Sequence, residues 1–136
     1  MEDNKNYIEW LKRAKSNLEL AKNIEKNAFE EYGCVIFFEY ACFELQQSAE
    51  KALKALLIFY GRDFTKTHDI AELIKLIKNY TTIKIPDEIK KAVRLTPYAV
   101  ITRYPHLSRI NEEKYNEAIE LADKVYNWVK MEIQGI

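Results

Sequence analysis

The stretch CFELQQSAEKALKALLIFYG, residues 42 to 61, decides the fold. Leu45, Ala49, Ala52, Leu56 and Phe59 recur at steps of three and four, the spacing that lines up side chains on one face of an α-helix. Cys34, Phe38 and Ala41 continue the stripe upstream, and Gly61 supplies the left-handed residue that ends it. The pattern predicts one long helix from about Glu31 to Tyr60. Phe37 and Tyr40 widen its apolar face in the first half, so neighbours are expected on more than one side.

Working outward, Tyr7, Trp10, Leu11, Ala14, Leu18, Ala21 and then Ile24 or Glu25 fall at steps of three and four and give a first helix over residues 5 to 26. Lys12, Lys15, Glu19 and Lys22 face the other way, and Asn27 to Glu30 reads as a linker. Downstream, Thr67 or Asp69 caps a third helix whose apolar face is Ile70, Leu73, Ile74 and Ile77. TTIKIP, residues 81 to 86, is the one β-flavoured piece and reads as a linker. Pro86 opens a fourth helix, with Asp87 and Glu88 in its first turn. Thr96 precedes Pro97 and is pushed toward extended geometry, so that helix ends or kinks there, with a further turn from Pro97 to Ile101. Asn111 caps a final helix with the stripe Tyr115, Ala118, Ile119, Ala122, Val125, Val129 and Ile133.

The 136 residues suit a single domain, 1–136, and contain only 3 Gly and 3 Pro. So few turn formers argue for helices joined by short loops. The expectation is all-α: an up-and-down antiparallel bundle of four to five helices, the first, second and last being the long ones. There is no repeat or low-complexity tract.

Twenty-one basic residues balance 21 acidic ones, which gives no global sign of nucleic-acid binding. The segment from Lys84 to Arg109 is locally basic, with Lys84, Lys90, Lys91, Arg94, Arg103 and Arg109 against Asp87 and Glu88. Cys34 and Cys42 are about 12 Å apart if they share a helix, too far for a disulfide. No CxxC pair exists, and His68 and His106 lack metal-ligand spacing, so neither a metal nor a cofactor is expected. MEDNKNYIEW has no apolar core of a signal peptide, and the apolar run around Val35 to Tyr40 is too short to span a bilayer. A reduced, cytoplasmic protein with no membrane association is expected.

Three features carry potential chemistry. Gln46, Glu50 and Lys54 form one ridge at i, i+4 and i+8, with Gln47 and Lys51 beside it. Periodicity allows a solvated stripe or a polar face lining a groove or subunit contact. His68, before Asp69 at a helix start, fits a local hydrogen-bonding role and is a weaker catalytic candidate. ITRYPHLSRI, residues 101 to 110, holds Arg103 and His106. An arginine can neutralise charge on a scissile phosphate while a histidine moves the proton of a ribose 2′-hydroxyl, a cleavage that needs RNA and no metal.

These pieces together resemble the HEPN superfamily of small helical domains. The match runs from Trp10, Ala14 and Leu18 through CFELQQSAEKALKALLIFYG, THDIAELI at 67 to 74 and TRYP at 102 to 105, to the EAIELADKVYNWVK helix. The resemblance implies a helical bundle that forms a homodimer and pairs with a minimal nucleotidyltransferase, at times as a toxin–antitoxin couple. Ribonuclease members carry Arg, four to six residues, then His. From Arg103 those positions are Ser108, Arg109 and Ile110, and His106 comes too early. The expectation is therefore a homodimeric binding module without efficient catalysis. Arg103, Tyr104, Gln47, Glu50, Lys51, Lys54 and Arg109 are its candidate ligand or partner contacts. A metal-independent ribonuclease using Arg103 with His106 or His68, or a nucleotide- or RNA-binding module without turnover, are the alternatives.

Overall fold

The computed structural model describes residues 3–32, 37–64, 66–103 and 110–135. Among the described residues five α-helices carry the fold: α1 (Asp3–Tyr32), α2 (Phe38–Phe59), α3 (Ile70–Tyr80), α4 (Asp87–Lys90) and α5 (Glu112–Gln134). Two 3₁₀ segments, Lys91–Ala99 and Ile101–Arg103, follow α4 directly. No strand occurs among the described residues.

The residues that pair across the helices give their directions. Ser48 donates to the Ala14 carbonyl, and Tyr7 meets Phe59 edge-on, so α2 runs antiparallel to α1. Lys22 pairs with Asp123, and Lys15 lies over the Tyr126 ring, so α5 also runs antiparallel to α1. Two helices opposed to the same third one are parallel to each other. Parallel neighbours need a long return path, which α3, α4 and the 3₁₀ segments provide.

α2 is the centre of the bundle and packs against α1, α3, α5 and both 3₁₀ segments. Its burial follows that position. Leu45, Leu53, Leu56 and Leu57 are fully enclosed, pointing in several directions rather than along one stripe. Ala41, Ala49, Ala52 and Ala55 are fully buried too, as are Ala14, Ala21 and Ala122 on the neighbours. Such small side chains let helix backbones come close.

Three boundaries differ from the sequence expectation. The expected linker from Asn27 to Glu30 is part of α1, because NAFE holds no glycine or proline to stop a helix. α2 therefore begins at Phe38 instead of Glu31. α4 tightens into 3₁₀ geometry after Lys90, and that segment runs through Pro97 to Ala99 instead of ending at Thr96. Leu121 and Tyr126 are buried on α5 although they lie outside its single predicted stripe. Cys34 lies outside the described residues.

The expected caps are present. The Asp69 side chain accepts from Ala71 N–H and that of Asn111 from Lys114 N–H, each satisfying a first-turn donor. At the end of α2, Gly61 has φ +69 and its N–H bonds the Ile58 carbonyl, while Arg62 N–H bonds that of Leu57. This is a Schellman closure, which requires left-handed backbone at the glycine. A Cβ there meets nothing within 4 Å, so the cost of a side chain is purely conformational. Gly61→Ala is expected to lower unfolding free energy by about 1–2 kcal/mol, read by urea denaturation. A change below a few tenths would show that the chain leaves α2 differently.

Candidate functional site

The polar ridge of α2 lies inside the molecule. Glu50 and Lys54 keep only 4% and 6% of their surface, and Gln46 none. A buried carboxylate is tolerated when every oxygen has a donor, and Glu50 meets that condition. Its Oε2 accepts from Lys54 Nζ at 3.0 Å. Its Oε1 accepts from Gln46 Nε2 at 3.2 Å and lies 2.7 Å from His68 Nδ1. Lys54 Nζ also sits 5.7 Å from the Trp10 ring centre and 5.1 Å from that of Phe64, an aromatic cradle suited to a cation.

The segment before α3 is held onto this cluster. Gln46 Nε2 donates to the His68 carbonyl at 3.1 Å, and the Thr67 hydroxyl accepts from Asp69 N–H at 3.0 Å. His68 is thereby fixed at both backbone and ring, yet its side chain remains 68% exposed. It is the one member of the cluster that solvent reaches freely. The others, read from sequence as a solvated or groove-lining stripe, join the α2–α3 connection to the core.

Gln47 and Lys51, half-buried, extend the network: Gln47 Nε2 donates to Gln46 Oε1 at 2.7 Å, and Lys51 Nζ to Asn17 Oδ1 at 2.8 Å. Asn17 also donates to Glu44. Sequence reasoning missed the parts played by Ser48, Trp10 and Phe64. Ser48 sits as a lone hydroxyl beside small residues, where a hydroxyl can back-bond a neighbouring helix. No local signal links Trp10 or Phe64 to Lys54, because they come from different segments.

Arg103 is exposed at the end of the second 3₁₀ segment, its N–H bonded to the Val100 carbonyl at 3.0 Å. Tyr104, His106 and Arg109 lie outside the described residues. Ile70 N–H donates to Thr96 Oγ1 at 3.2 Å, placing Thr96 near His68. Elsewhere in the basic segment, Arg94 pairs with Glu117 at 3.6 Å and Lys90 with Asp87 at 3.7 Å. Among the described residues, no group of His, Cys, Asp and Glu could hold a metal ion, and no helix is long and apolar enough to cross a membrane.

Cys42, fully buried on α2, is not a reactive thiol. Burial and then the Glu39 carboxylate push its pKa from 9.0 up to about 12. Burial, with Cys42 and Glu117 nearby, also raises that of Tyr98. Both groups hold their protons longer folded than unfolded, so stability is expected to fall as pH rises from 9 toward 12. Alkylation of Cys42 at pH 8, followed by mass spectrometry in a Cys34→Ser background, should track global unfolding. Fast labelling of the folded protein would contradict this burial.

A HEPN domain model matches residues 7–132. In structure the chain is similar to TT1696 from Thermus thermophilus, with a TM-score of 0.74 and 26% identity over 91% of this chain and 95% of that one. It is also similar to ST0689, described as an archaeal HEPN homologue, with a TM-score of 0.67 and 28% identity over 93% of this chain and 97% of that one. Among curated proteins none matches the sequence. With the family model spanning nearly all of the helical bundle, the chain belongs to the HEPN domain family.

Proposed function

We propose that the protein is a homodimeric binding module that pairs with a minimal nucleotidyltransferase in a toxin–antitoxin-like couple, without efficient catalysis of its own. The observation that carries this reading is an exposed apolar surface beside Arg103. Phe37, Tyr40 and Val100 are 62%, 50% and 45% exposed, high values for side chains of this kind. Tyr40 N–H bonds the Phe37 carbonyl and Arg103 N–H that of Val100, so each pair is stacked one turn apart.

The second 3₁₀ segment packs against α2, and Tyr98 just before it lies near Cys42, which sets both pairs toward the first turns of α2. Ile101, between Val100 and Arg103, is buried in the core. Glu39, between Phe37 and Tyr40, accepts from Ile110 N–H at 3.3 Å. Aromatic residues and arginine are the types enriched at the centre of protein interfaces. A two-fold axis through this surface would bring the two copies of Arg103 near each other. Ser108, Arg109 and Ile110 at the spacing where a ribonuclease would carry histidine support the non-catalytic part of the reading.

The test is co-expression with a minimal nucleotidyltransferase encoded in a neighbouring frame. A co-migrating complex weakened by Arg103→Glu is expected. Failure of the two proteins to associate, or an association indifferent to that charge reversal, counts against the proposed partner.

A further inference from the structure

A groove of about 580 Å³ runs between α1 and α5, on elements separate from the surface around Arg103. Its apolar lining includes Tyr7, Leu11, Tyr126 and Ile133. Leu11 and Tyr126 are each 8% exposed, so they form a fixed floor, and Tyr7 is braced edge-on against Phe59 at 5.1 Å. The charged side chains lining it are Lys12 and Lys15, and no carboxylate lines it among the described residues. Lys15 lies over the Tyr126 ring at 5.1 Å and shares its charge with Glu19 at 2.9 Å. Lys12 has no ion-pair partner among the described residues.

A space of this size with an apolar floor and few polar groups suits a small molecule held between bundle helices. The two lysines fix the sign of what it would hold. From Tyr7 to Lys15 the helix rise gives the groove a length of about 12 Å. We propose that it binds a free anionic amphiphile, a carboxylate carried on a linear or flat apolar body. The body lies along Leu11, Tyr126 and Ile133, and the carboxylate meets the Lys12 ammonium, with Lys15 alongside.

The test is amide chemical-shift mapping on the full chain with two probes of the same chain length, decanoate and decyltrimethylammonium, both below their micelle concentrations. Saturable decanoate binding with shifts centred on Leu11, Tyr126 and Ile133 is expected. Affinity for the cation, and for decanoate in Lys12→Glu, should each be about tenfold weaker. Lys12 is exposed, so its reversal leaves the fold intact. Equal affinity for the two probes, shifts centred elsewhere, or no saturation would overturn the proposal. Groove shifts that follow protein concentration without any probe would assign the surface to a second copy of the chain and overturn it as well.

Discussion

Replacing Glu50 with alanine should lower the unfolding free energy by about 3–5 kcal/mol, because it leaves the Lys54 ammonium buried without its counter-charge. Both groups are more than nine-tenths buried, so solvent screening offers little relief. The change also removes one of the two acceptors of Gln46 Nε2 and the partner of the His68 ring. Against a typical domain stability of about 5–15 kcal/mol, this is enough to populate the unfolded state.

The same physics makes a second, sharper expectation. Removing both charges together, as Glu50→Leu with Lys54→Met, should cost clearly less than the sum of the two single changes. The Trp10 and Phe64 rings that cradle Lys54 would pack against a methionine. Urea denaturation of the three variants gives the coupling. Additive costs, or a Glu50→Ala penalty below about 1 kcal/mol, would mean that the pair is screened as surface pairs are.

Tyr40→Glu should weaken self-association by about 2–4 kcal/mol, roughly thirty- to a thousandfold, by placing two negative charges across the proposed two-fold interface. Tyr40 is half exposed and its neighbours on α2 carry the packing, so the monomer fold is expected to persist with an unchanged helical circular dichroism spectrum. Leu20→Glu on α1, 45% exposed, serves as the control and should leave association intact. Equal effects of the two substitutions would detach the dimer from the surface near Arg103.

Much of this architecture was legible in the residues. Steps of three and four between Ile70 and Ile77, the caps Asp69 and Asn111, and Gly61 after Phe59 are local signals, and local backbone energetics enforce them. What stayed illegible depends on neighbours far along the chain. Gln46, Glu50 and Lys54 have the spacing of a solvated ridge, and nothing within α2 tells that Trp10, Phe64 and His68 close over it. Burial on a central helix is a property of the whole bundle, as the enclosed Leu53 and Leu57 show. The RxxH spacing around Arg103 was readable as a departure from the ribonuclease pattern. His106 itself lies outside the described residues, so that part of the site rests on sequence.

The central claim, a module that works as a pair, is tested most directly by sedimentation equilibrium of the wild-type chain at micromolar concentration. A species of twice 16.1 kDa is expected, shifted toward 16.1 kDa by Tyr40→Glu. A wild-type protein that sediments at 16.1 kDa throughout that range would contradict it.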